Sequence, residues 1–131
     1  MPIELKIAAL GALLLFVHIF AATRFKTAQY GRNWNVGARD ETLPPANPMT
    51  GRMIRAQANF QETFPIAIVA LLGVVIAQKT GQWTALGGWA WLGARVIYLP
   101  LYLAGIRGVR TLAYVVSMIG LAMVLKPLLI G

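Results

Sequence analysis

The chain has 131 residues, of which 58% are hydrophobic and 12% charged, with a formal net charge of +8 and no cysteine. Its mean hydropathy is +0.65, and the apolar residues fall in long blocks, the composition of one small membrane domain and not of a soluble core. Without cysteine there can be no disulfide, thiolate metal site or protein thiol nucleophile, so any sulfur chemistry must arrive with a ligand. The basic residues lie in connections between apolar blocks, which is the pattern of membrane topology signals and argues against nucleic acid as a partner.

The first apolar block runs from Ile7 to Thr23, with Glu4 and Lys6 at its watery start, and predicts a helix over about 3–24. It lacks the small-residue cleavage site of a signal peptide and is read as a retained span. His18 is its one polar interruption. With no partner at ligand spacing, it is expected to be packed or bonded to its own helix, and no metal site is expected. Residues 25–50 then form a polar loop carrying Lys26, Arg32, Arg39, Asp40 and Glu41, punctuated by Gly31, Gly37, Pro44, Pro45 and Pro48. Loops this long are functional or mobile.

The second helix is predicted over about 51–78, the third over 82–106 and the fourth over 109–129. Arg95 interrupts the third, and Pro100 is expected to kink it. The expected fold class is therefore an all-α integral membrane protein, a bundle of four transmembrane helices whose charged interruptions are shielded inside it. Arg24, Lys26, Arg32, Arg39, Arg52 and Arg107 lie in the first and third connections, whereas the opposite side carries Lys6, Lys79 and Lys126. The positive-inside rule puts the first and third connections in the cytoplasm and both termini on the other side. Trp83, Trp89 and Trp91 are read as an aromatic belt and Trp34 as a membrane-surface anchor.

At about 100° per residue, Arg55, Asn59 and Glu62 on the second helix fall within an arc of roughly 60°. Arg95, Tyr98 and Tyr102 share a face of the third helix, and Arg110, Tyr114 and Ser117 a face of the fourth. An intramembrane arginine and glutamate are expected to meet, so a Glu62–Arg95 ion pair is predicted, chiefly as a helix-to-helix tie. Arg55, Arg107 and Arg110 are then left positive, a surplus that calls for an anionic ligand near the end of the bundle.

The segment Arg55-Ala56-Gln57-Ala58-Asn59-Phe60-Gln61-Glu62-Thr63-Phe64-Pro65 resembles the RAxxNxxExxP signature of the membrane-associated proteins in eicosanoid and glutathione metabolism. Ala94-Arg95-Val96 with Tyr98 and Tyr102, then Arg110-Thr111 and Tyr114, resemble the third and fourth helices of that superfamily, so the resemblance covers nearly the whole chain. It implies a four-helix protomer assembled as a homotrimer, with glutathione bound between subunits near the cytoplasmic face as co-substrate. Arg55, Gln57, Asn59 and Glu62 would contact glutathione, Arg95 would partner the glutamate, and Tyr98 and Tyr102 would add contacts. Arg110 would stabilise the thiolate. Thr111 and Tyr114 follow it in the family's register, and Arg107 is the alternative for that role. The electrophile would be a lipophilic small molecule drawn from the membrane lipid. Thr63 stands where some relatives have tyrosine. Two other readings stay open: a non-enzymatic membrane scaffold of the same fold, and a small proton-coupled multidrug transporter using Glu62 as its carboxylate.

Overall fold

The computed structural model describes residues 1–130 as helices joined by short connections. Four are long: α1 (Ile3–Tyr30), α3 (Pro48–Ile76), α4 (Gln82–Leu103) and α5 (Val109–Leu129), with a short α2 (Arg32–Val36) after the first. α1, α3 and α5 are long and apolar enough to cross a membrane, which fits an integral membrane protein. α4 packs most extensively on α5 and α1 on α3, and α3 touches both α4 and α5.

α1 continues to Tyr30, well beyond the apolar block that suggested an end near residue 24, because Arg24–Tyr30 contains no glycine or proline to stop it. Gly31, at φ 96, ends it in a conformation that side chains disfavour. The predicted loop over 25–50 thus shrinks to the residues between Val36 and Pro48. Even these are tied down. The Gln29 amide donates to Pro45 O at 3.0 Å, Tyr30 Oη donates to Pro44 O at 2.9 Å, and Asn47 N donates to Gln29 Oε1 at 2.9 Å. Asn47 caps α3 by accepting from Thr50 N at 2.8 Å, with Pro48 at the first helical position. The connection is therefore a strap across the end of α1.

The core is a stack of aromatic and aliphatic side chains. Phe60, Phe64 and Trp91 lie with ring centroids 5.3–6.1 Å apart, surrounded by Ile7, Leu71, Val74, Leu121 and Val124. Trp91 is fully buried here, correcting its assignment to an interfacial belt. Two residues from Trp89 along a helix it must point about 200° away from it, so the two cannot share a face; Trp83 and Trp89 are the exposed pair. Trp34 is buried rather than anchoring at a surface. It packs against the Tyr30 ring at 5.3 Å with the Arg39 guanidinium 4.5 Å above it. Glu4 is also buried, accepting a 2.6 Å hydrogen bond from Thr84 Oγ1 that ties the start of α1 to the start of α4. α4 runs one turn past Pro100 and ends at Leu103, short of the expected 106.

α4 and α5 approach closely because small residues meet: a Cβ on Gly120 would lie 2.5 Å from Gly87 O and 2.7 Å from Trp91 N. Gly120→Ala should therefore cost about 1–3 kcal/mol through overpacking. Gly93→Ala, where a Cβ meets nothing within 4 Å, should leave stability unchanged or raise it by up to about 1 kcal/mol. Thermal unfolding of the two variants in detergent, read by circular dichroism, checks the contrast.

Candidate functional site

The inward face of α3 is set by Ala56, Phe60, Thr63 and Ala67, all buried and within about 60° of one another at 100° per residue. Asn59 lies about 70° from the centre of that face and Glu62 about 130°. Rotation alone brings the amide to the bundle and turns the carboxylate out. The structure corrects the Glu62–Arg95 ion pair accordingly. Arg95 is fully buried, and its Nη1 donates to Asn59 Oδ1 at 2.8 Å, while Glu62 is exposed. The Arg95 guanidinium also lies 4.6 Å from the Tyr98 ring centroid, 5.2 Å from that of Phe60 and 5.8 Å from that of Tyr114. Aromatic faces attract a cation electrostatically, and here they enclose a guanidinium whose Nε and Nη2 have no hydrogen-bond partner.

Toward the end of the bundle the site widens. Tyr102 is held from two sides: its hydroxyl accepts from Arg55 Nε at 3.1 Å, and the Arg110 guanidinium sits 4.7 Å over its ring. The α4–α5 turn presents the arginines of the far wall. Gly105 and Gly108 both have φ near +70°, a conformation glycine adopts without cost, and so reverse the chain within a few residues of Tyr102. A Cβ on Gly105 would lie 3.0 Å from the Arg52 guanidinium, whose Nη1 donates to Leu103 O at 3.2 Å.

Two hollows result. One, of about 220 Å³, is lined by Asn59, Tyr98, Arg110, Thr111 and Tyr114. The other, of about 250 Å³, is lined by Arg52, Arg55, Tyr102, Gly105, Arg107 and Arg110. Arg110 is the wall they share, and no carboxylate lines either. A chamber with four guanidiniums and several hydroxyls is built to hold anions, since arginine offers a planar fork of donors to carboxylates.

Of the residues singled out from sequence, Arg55, Asn59, Arg95, Tyr98, Tyr102, Arg110 and Tyr114 are brought together around this chamber. Gln57 and Glu62 line neither hollow. Arg52, counted among the topology charges and in the polar cluster that opens the second helix, lines the second hollow. Its spacing of three residues before Arg55, which puts both on one flank of α3, was the available signal. Arg107, weighed as a topology charge, lines the second hollow too. His18 sits as expected, its Nδ1 2.8 Å from Leu14 O and its ring stacked on Phe60 at 4.6 Å. Among the described residues no group of three or more His, Asp or Glu side chains gathers as a metal site would require.

These features define a helical-bundle membrane protein with a basic, tyrosine-lined chamber at one end of the bundle. The family model described as the MAPEG family matches residues 7–129, nearly the whole chain, and the protein belongs to that family. No curated protein and no solved structure gives a significant match.

Removing the acceptor of a buried guanidinium is costly, because the charge is left without compensation. Asn59→Leu should therefore destabilise the protein by about 3–5 kcal/mol. Asn59→Asp, which keeps an oxygen at the same reach, should recover most of that loss in thermal unfolding.

Proposed function

We propose that this protein binds glutathione and activates its thiol against lipophilic electrophiles at the membrane. The observation that carries the reading is the chamber lined by Arg52, Arg55, Arg107 and Arg110 without any carboxylate, in a chain of the MAPEG family. Glutathione carries two carboxylates and one ammonium, so it needs more cations than anions around it. Arg52, Arg55 and Arg107 hold the carboxylates, and Tyr102, oriented by Arg55, adds a hydroxyl.

The sulfur lies in the adjoining hollow beside Arg110, Thr111 and Tyr114. A thiol of pKa about 8.5 is mostly protonated at neutral pH, and a cation next to sulfur shifts it toward thiolate. The S–H proton leaves to water, the Arg110 guanidinium balances the sulfur charge without giving up a proton of its own, and the hydroxyls of Thr111 and Tyr114 donate to the sulfur. This step is common to conjugation, isomerisation and peroxide reduction. Arg95 acts behind it, holding Asn59 and the faces of Tyr98 and Tyr114 in place.

The reading takes the active form to be a homotrimer, with the ligand at a subunit boundary and α4 as a further membrane span. That arrangement gives the exposed Glu62 and the half-buried Gln57 a use: Glu62 meets the ammonium of a glutathione bound between neighbours. The first and third connections lie in the cytoplasm, where glutathione is available, and both termini on the other side. An exposed Glu62 also suits a proton-coupled transporter of cationic drugs, but the arginines around the chamber mouth would repel such cargo.

Adding glutathione to the detergent-purified protein should generate ultraviolet thiolate absorbance, and Arg110→Ala should abolish it while binding persists. Arg52→Gln should raise the glutathione Kd about tenfold or more, the loss of one charge-assisted hydrogen bond. Binding without any thiolate signal would leave a scaffold of the same fold. Proton release on adding a hydrophobic cation, lost in Glu62→Gln, would indicate the transporter.

A further inference from the structure

The α4–α5 turn is held by one side chain from α3. It links the end of α4 at Leu103 to the start of α5 at Val109. The backbone N–H groups of Ala104, Gly105 and Ile106 donate back to Pro100 O, Tyr102 O and Leu101 O. Leu103 O is left to a donor from outside the helix, and Arg52 Nη1 reaches it at 3.2 Å. A cation at the last carbonyls of a helix is also favoured by the helix dipole.

Gly105 completes this contact. A Cβ there would lie 3.0 Å from both Cζ and Nη2 of Arg52 and 3.3 Å from Nη1. Near-equal distances to three atoms of one plane put that point over the flat face of the guanidinium and not at its edge. The edge therefore stays open. A guanidinium carries several N–H donors in its plane, and Leu103 O takes one, which leaves the others for a ligand in the hollow that Arg52 lines. Gly105 and Gly108 share nearly the same backbone, at φ 73° and 72°. They differ in surroundings, because a Cβ on Gly108 would meet nothing within 4 Å. Gly105 alone is required for space as well as for conformation.

We infer that Gly105 and Arg52 form a latch through which recognition of the ligand's carboxylate positions Arg110 for the sulfur. Arg52 holds the end of α4 with one donor and the carboxylate with others. Since the guanidinium is planar and rigid, seating the carboxylate fixes where the turn lies. Arg110 stands in the first turn of α5, directly after that turn, and its place over Tyr102 and between the two hollows moves with it. Gly105 touches no ligand and is a positioning residue: it lets the guanidinium lie against the backbone. The inference rests on the glutathione reading of the chamber and adds to it a mechanical coupling between carboxylate binding in one hollow and thiolate formation in the other.

The test compares Gly105→Ala with Gly108→Ala, which impose the same backbone strain but differ in what the new methyl group meets. S-methylglutathione keeps both carboxylates and has no thiol. Its Kd, measured by calorimetry on the full protein in detergent, should rise about tenfold in Gly105→Ala and stay within about twofold of wild type in Gly108→Ala. With saturating glutathione, the pH midpoint of thiolate absorbance should move upward in Gly105→Ala and not in Gly108→Ala. Arg52→Lys keeps the charge and loses the planar fork, so it should reproduce both changes, and it carries the test alone if Gly105→Ala does not fold. Where both fold, combining them should add little to either, because they break one contact. Equal effects of the two alanines, or an unmoved thiolate midpoint in Gly105→Ala or Arg52→Lys, would overturn the inference and leave the glutathione reading in place. A wild-type protein that binds no S-methylglutathione, or binds glutathione without forming thiolate, would sink both.

Discussion

Arg95 donates to Asn59 Oδ1 at 2.8 Å from a position with no exposed surface, and the site is organised around that bond. Burying a guanidinium in an apolar bundle is tolerable only where acceptors and aromatic faces replace water. Asn59 on α3, Phe60 beneath and Tyr98 and Tyr114 around it supply them. Because these groups come from α3, α4 and α5, the arginine fixes the rotation and height of three helices at once. The consequence appears one turn further along, where Arg52 and Arg55 of α3 face Arg107 and Arg110 across Tyr102. A neutral amide as the partner also matters for charge. Had a carboxylate taken Arg95, a negative group would stand near the chamber; as it is, the lining stays wholly cationic.

Two other devices hold the bundle in the geometry this chamber needs. At the far end, the buried Glu4–Thr84 hydrogen bond ties α1 to α4, and the close backbone approach at Gly87 and Gly120 joins α4 to α5. At the near end, the strap from Gly37 to Asn47 is pinned on Gln29 and Tyr30. The end of the molecule that carries the arginines is thus ordered by side-chain to backbone hydrogen bonds together with a smaller apolar cluster of Ala22, Met53 and Ala56.

Much of this was legible in the chain and some of it was misread for a definite reason. The polar stripes on the helices are visible from spacing, and seven of their members converge. Glu62 was placed against Arg95 because charge complementarity was weighed without the rotation of α3. The buried quartet Ala56, Phe60, Thr63 and Ala67 shows that rotation once packing is known, and it favours Asn59. Trp91 and Trp34 were assigned to membrane surfaces by residue type, whereas their burial follows from which face of the helix each occupies. The end of α1 was placed at the hydropathy boundary, but a helix stops where its backbone is interrupted, and that is Gly31.

The order and approximate extent of the long helices, the absence of a protein thiol and the excess of arginine over acid were determined by the amino-acid sequence alone. They depend on composition, apolar block length and helix-breaking residues, which are local. Which polar group meets Arg95, which tryptophans are core and which arginines share a wall were decided only by tertiary structure. Each of those turns on the rotation of one helix against another, and that rotation is set by the summed packing of side chains distant in the chain, which no single segment encodes.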